Sequence, residues 1–307
     1  MKNNILLIVA VLFVCVSCKQ SASDWIDRTN HEGLHNIALS DDFETYSTET
    51  NPTHLQNTIN NLEQAKTYYD KVFDEDLKFA VLFIDNKNWD KYAFSPPPGM
   101  PQATYGGNII LGLNKSVMAM GFEEVLSQMP PEAIQGLKTH FGDPINLDNF
   151  FREGLALHEL AHLYQFYKTS KNSQRHWLNE LFGNLCQVAA AKSFEDQSTF
   201  NQMDSYQNFL IRGNQWGELK YKTLEQFEND YFDVIASGRN YGWYQTQFYI
   251  MANELYTKYG DDIVNKFRDF LITYDGDDYG VIDDTELNKL LIESFGEDAV
   301  NILKWNY

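Results

Sequence analysis

Apolar and polar positions follow two different periods along the chain. Leu55, Ile59, Leu62, Ala65, Tyr69 and Val72 recur at helical spacing, which predicts a one-sided helix from Leu55 to Phe73. Lys78 to Ile84 is a short β-rich apolar run closed by Asp85-Asn86-Lys87-Asn88, which predicts a strand. The turn sequence Ser95-Pro96-Pro97-Pro98-Gly99 follows, and Gly106 to Gly112 reads as a second, glycine-bounded strand. From there the pattern is mostly helical, over 116–139, 147–168, 174–194, 205–233, 243–257, 261–273 and 284–293. There is no repeat and no convincing linker. The expected fold class is α+β: a small N-terminal sheet followed by a mainly helical C-terminal part, in one domain over 54–307.

The first residues follow a different logic. Met1-Lys2-Asn3-Asn4 is a short basic start, and Ile5 to Val14 is an apolar run too short for a stable membrane anchor. Cys15-Val16-Ser17-Cys18 resembles a bacterial lipobox, with Cys15 where Leu or Val is usual. The resemblance implies a lipoprotein signal over 1–18, acylation of Cys18, and an exported protein held at the cell envelope by an N-terminal lipid, at the outer membrane; plain secretion is the alternative. Residues 19–53 are polar and turn-rich and read as a tether with an irregular lead-in. With Cys18 acylated, Cys186 lacks a disulfide partner and is expected as a core thiol. The net charge of −19 argues against nucleic acid, whose phosphates require Lys and Arg, and against docking on anionic lipid through a basic face.

Two segments fit the pattern His-Glu-x-x-His. On a helix, the two His lie one turn apart on one face and can reach a single Zn²⁺, while the intervening Glu addresses the water bound there. His31-Glu32-Gly33-Leu34-His35 fails this test, because Gly33 weakens a helix and the flanks show little periodicity. His31, Glu32 and His35 are therefore expected to be polar surface residues. His158-Glu159-Leu160-Ala161-His162 passes. Phe151, Leu155, Leu160 and Tyr164 can anchor its helix while the two His share another face.

A third ligand is required. The places where metzincins carry Gly and a third His are held here by Gln165 and Lys168. With seventeen residues between them, however, Glu180 follows His162 within Trp177-Leu178-Asn179-Glu180, and a short loop over 168–174 lets its helix fold back antiparallel. Asn184, one turn on, is placed to orient a ligand imidazole. HELAH followed by WLNE resembles the gluzincin metallopeptidases, notably the large aminopeptidases that share both motifs and, more distantly, thermolysin-like enzymes.

The resemblance implies a zincin-like fold with an edge strand over the cleft, assigned to Gly106–Gly112. It implies one Zn²⁺ on His158, His162 and Glu180, with Glu159 as general base for hydrolysis of a peptide or protein substrate. The family's oxyanion-stabilising Tyr maps by spacing onto Tyr244, with Tyr241 next. The Gly-x-Met-Glu-Asn exopeptidase motif is missing, and Gly99-Met100-Pro101-Gln102 does not replace it, so N-terminal trimming is not implied. The competing functions are a zincin-fold lipoprotein that has lost catalysis and binds a partner, a helical surface lipoprotein in which HELAH is accidental, and a zinc hydrolase acting on non-peptide bonds.

A weaker signal lies further on. Asp275 to Glu286 aligns with an EF-hand loop, offering Asp275, Asp277, Asp283 and Glu286 as Ca²⁺ ligands, with Gly280 at the turn but Tyr279 where an oxygen ligand is usual. The alternative is an acidic loop capping the helix that starts near Thr285.

Overall fold

The computed structural model describes residues 25–213 and 216–303. The expected signal segment over 1–18, with Cys18, lies outside them. A five-stranded mixed sheet comes first. Its strands are β1 (His35–Asn36), β2 (Glu44–Ser47), β3 (Ala80–Ile84), β4 (Gln102–Thr104) and β5 (Asn108–Gly112). Their order is β1-β2-β3-β5-β4. β2, β3 and β5 are parallel, while β1 and β4 run antiparallel at the two edges.

The helices follow in two groups. α1 (Gln56–Phe73), α2 (Val117–Ser127), α3 (Pro131–Phe141), α4 (Leu155–Phe166), α5 (His176–Ser193) and α6 (Ser198–Gly213) lead up to the second group. That group is α7 (Leu224–Asn229), α8 (Tyr231–Ala236), α9 (Arg239–Tyr259), α10 (Asp261–Thr273), α11 (Asp284–Phe295) and α12 (Glu297–Ile302). No helix among the described residues is long and apolar enough to cross a membrane.

β3 is apolar at every position because both of its faces are covered. Val81 and Phe83 join the main core under α1 and α4, beside Ile109 and Leu111. Ala80, Leu82 and Ile84 face the opposite way, onto Ile26 and Trp89. The N-terminal stretch is therefore part of the fold. The described portion of the expected lead-in, 25–53, carries a 3₁₀ turn at Arg28–His31, β1 and β2. Its strand went unseen because Thr45 and Ser47, the buried positions of β2, are hydroxyl residues that carry no apolar alternation.

Other expected helices break where local chemistry interrupts them. Residues 116–139 divide before Pro131, which starts α3. The helix expected over 147–168 opens as a π-helical turn, Asn149–Gly154, before becoming α4. Cys186 is fully buried in α5, as expected of a core thiol.

In the acidic segment 275–286 the four expected calcium ligands are engaged separately rather than gathered around one point. Asp275 accepts from Asp277 N at 3.0 Å and from Ser170 N at 2.7 Å, and Gly276 to Tyr279 form a helical turn. Asn172 donates to Asp277. Asp283 caps α11 through Glu286 N at 3.0 Å, and the Glu286 carboxylate faces Lys289. Arg175 donates to Ile282 O at 2.9 Å and Asp284 at 2.6 Å, and Gly276 N to Asn172 O at 2.8 Å. The segment thus clamps the loop joining α4 to α5. Asp275→Ala is expected to destabilise the protein by about 1–3 kcal/mol, because Ser170 N loses its acceptor. Ca²⁺ is expected to leave the thermal midpoint of the purified protein unchanged; a calcium-dependent rise would restore the EF-hand reading.

Candidate metal centre

α4 has the composition of a buried helix, rich in Leu and Ala with no Gly or Pro inside it. His158 and His162 stand one turn apart on it, with Nε2 atoms 3.0 Å from each other. α5 returns alongside and brings Glu180 Oε2 to 3.6 Å from His158 Nε2. One ligand atom from each of the three residues lies within 4.8 Å of the others, and all three are buried. Zn–N and Zn–O bonds of about 2.0–2.2 Å in tetrahedral geometry separate ligand atoms by roughly 3.3 Å, so the donor spacing fits a metal ion. Among the described residues this is the one such grouping of His, Cys, Asp and Glu.

The supports around the donors are specific. Gln165 Oε1 lies 3.2 Å from His162 Nδ1, and accepting from Nδ1–H turns Nε2 inward. Gln165 is itself held by donating to Asn179 Oδ1 at 2.7 Å. Phe166 stacks on the His162 ring, and Tyr105 stacks on Phe166. His158 lies against Gly183 of α5, where a Cβ would come within 2.5 Å of the imidazole Cε1. Gly183 therefore makes room for the ligand ring. A glycine inside an otherwise apolar helix is the sequence signal for such close approach.

Glu180 is served from α8 and α9. Gln245 Nε2 donates to Oε2 at 2.7 Å, and the Tyr231 hydroxyl lies 3.4 Å from Oε1. Asn184 does not orient an imidazole as expected. It donates to Gln245 Oε1 at 2.8 Å and to Glu180 O at 2.9 Å, and so steadies the ligand carboxylate through Gln245. The reason is position: Asn184 is one turn beyond Glu180 on the same helix and faces α9.

Burial would raise Glu180, but hydrogen bonding and charge from His158, the charge of His162 and the Gln245 amide hold it down to about 2. His162 is lowered, first by burial and then by His158. An ionised carboxylate and a neutral imidazole are the forms that bind a cation. Gln245→Leu is expected to weaken zinc binding about 10–100-fold in a chelator competition, whereas unchanged affinity would deny that the amide positions Glu180.

Glu159 faces the sheet edge. Ala103 N in β4 donates to its Oε2 at 2.6 Å. The strand over α4 is therefore β4, not the Gly106–Gly112 segment, whose β5 is enclosed between β3 and β4. Three-residue β4 was hidden by its brevity and by the proline-rich turn before it. Burial pushes Glu159 up to about 7, with His162 and the Ala103 amide opposing. A carboxyl raised above its unfolded value favours folding at low pH, and that stability is lost as the pH climbs toward 7. In chelator-treated protein the stability difference between Glu159→Gln and wild type is therefore expected to grow in favour of the variant from pH 5 to pH 8. The expected gain is on the order of 1–3 kcal/mol by urea denaturation. A pH-independent difference would count against the raised carboxyl.

The two expected tyrosines separate. Tyr244 is fully buried and donates to Thr223 O at 2.7 Å, among Phe227 and Phe248, so it is not at the centre. Tyr241 lies near enough to Glu180 and Glu159 to feel both charges; burial first, and then those charges, push its phenol well up, so it stays protonated. Tyr231 joins it, likewise raised by burial and by Glu180. The sequence pattern did not single out Tyr231 or Gln245, because both arrive from remote helices.

The other His-Glu-x-x-His segment gathers no ligands. His31 ends a 3₁₀ turn, Gly33 has φ +86°, and His35 begins β1. His31 is not a surface residue: it is buried, with Nε2 2.7 Å from Asn108 Oδ1 and its ring against Tyr46. Glu32 and His35 are exposed. Comparison of the chain with protein-family models, curated proteins and solved structures finds no match.

Proposed function

We propose that this chain is a zinc-dependent peptidase of the gluzincin type, carried at the bacterial cell envelope by a lipid on Cys18. The observation that carries the reading is the placement of Glu159, pinned to an edge-strand amide at 2.6 Å, beside a His158–His162–Glu180 donor set. A carboxylate there is superfluous to metal binding and suited to proton transfer. The resemblance of HELAH and WLNE to gluzincins supports the same reading, as does the edge strand lying over α4.

A Zn²⁺ on the three donors would supply a Lewis acid and acidify the attacking water. Glu159 takes that water's proton, its carboxyl near neutrality matching both halves of a proton shuttle, and returns it to the departing amine. Tyr241, with Tyr231 beside it, keeps its phenolic proton and donates to the oxygen on which charge develops. β4, at the edge of the sheet, would align an extended peptide alongside it. Elemental mass spectrometry and a peptide-library screen on the purified protein test the reading. About one zinc per chain, lost in His162→Ala, together with metal-dependent cleavage, is expected. Zinc without cleavage would leave a binding module, and absence of zinc after reconstitution would end the proposal.

A further inference from the structure

A second polar site lies away from the metal centre, at the carboxyl ends of the parallel strands. Glu49 follows β2, Lys115 follows β5, and the π-helical turn preceding α4 closes the floor of a cavity of about 880 Å³. In open sheets this end is where ligands are commonly held. The rim is polar and partly exposed. The floor holds Asp148, Arg152 and Glu153, each only 8% exposed.

These three charges are poorly matched to one another. Arg152 Nη1 is 3.6 Å from Asp148 Oδ2, an ion pair without hydrogen-bond contact. Arg152 Nε and Asp148 Oδ1 are buried and have no hydrogen-bond partner. The Glu153 side chain makes no hydrogen bond or ion pair with any described residue, and burial raises its carboxyl against the opposing charge of Arg152. Nearby Lys115 is taken by Glu123, at 2.8 Å. Two carboxyls thus share one guanidinium, beside an orphaned N–H donor. Buried charge is costly unless paired. The site therefore calls for a cation with several donors and, close to it, an anionic acceptor.

We propose that this cavity binds an α-amino acid, free or as a dipeptide, with its carboxylate on Arg152 and its ammonium between Asp148 and Glu153. An ammonium offers three donors, which suits two carboxyls, and a carboxylate suits the guanidinium edge. A metal ion alone fits less well, since among the described residues no three His, Cys, Asp or Glu side chains gather around one point here, unlike the His158 group. A sugar fits less well too, because no Phe, Tyr or Trp lines the cavity to stack against a ring. The cavity is large enough for a ligand side chain, which would meet the amides of Asn57 and Asn114. This proposal does not rest on the peptidase reading.

Thermal unfolding and titration calorimetry of the purified protein test it, using the standard amino acids and a set of dipeptides, with acetate, methylamine, glucose and Ca²⁺ as controls. At least one amino acid or dipeptide is expected to raise the midpoint by about 5 °C at roughly a hundredfold excess over its Kd. Neither acetate nor methylamine alone should do so. The shift should vanish in Glu153→Gln and in Arg152→Gln, and persist in His162→Ala, which separates this cavity from the metal centre. Glu153→Gln keeps the side-chain shape and breaks no contact, so it should fold at least as stably as wild type. No binding by any amino acid or dipeptide, binding unchanged in Glu153→Gln, loss of binding in His162→Ala, or a response to glucose or Ca²⁺ alone would overturn the assignment.

Discussion

Glu159→Gln is expected to keep its metal and to lose peptide hydrolysis by about 10²–10⁴-fold, the usual contribution of a positioned general base. The Gln amide has the size of the carboxylate, and its oxygen can still accept from Ala103 N, which donates to Glu159 at 2.6 Å. The rim and α4 therefore stay in place. What disappears is the capacity to hold a proton near neutrality. Burial sets that capacity, raising the carboxyl to about 7. Initial rates on a cleaved peptide, measured beside zinc content, decide the matter. Equal loss of zinc and rate would mean that Glu159 is structural. Full activity would move the base elsewhere and, with it, the proposed mechanism.

Gly183→Ala is the second large effect. In an ordinary helix interior this change stabilises by about 1 kcal/mol. Here the added methyl would sit 2.5 Å from Cε1 and 2.7 Å from Nε2 of His158, so the ring must leave its position. Zinc affinity is expected to fall by at least the 10–100-fold seen when a ligand loses its orientation, while helical circular dichroism stays near wild type. Gly136→Ala serves as the control, since a Cβ there meets nothing within 4 Å. If Gly183→Ala bound zinc as tightly as wild type, the packing of His158 on α5 would not define the centre. The two variants also dissociate the functions: one removes the chemistry and keeps the metal, the other removes the metal by moving a ligand.

The contrast between these two residues shows where sequence reasoning reaches and where it stops. Glu159 was legible because its neighbours at one helical turn announce it. Gly183 left only a trace, a glycine within a helical stretch, since its role is defined by a ring on another helix. The same division separates Tyr241 from Tyr244. Their spacing to Glu180 is nearly equal, yet one feels the charge of Glu180 and the other donates to Thr223 O. The acidic stretch 275–286 illustrates the reverse error. Its oxygens match a calcium loop by position, but backbone amides and α11 use them one at a time.

By itself the sequence determined what depends on local periodicity. A helix bearing His158, Glu159 and His162, a following helix bearing Glu180, the apolar strand β3 and the α+β class all follow from side chains recurring at fixed intervals. Tertiary structure decided the rest. It chose β4 as the strand over α4, drew β1 and β2 into the sheet, and brought Tyr231 to Glu180 while turning Tyr244 toward Thr223 O. It recruited Gln165 and Gln245 as supports and left charges unmatched at Asp148, Arg152 and Glu153. The physical reason is that periodicity records which face of an element is buried, whereas a hydrogen bond, a close approach or an orphaned charge belongs to two elements at once.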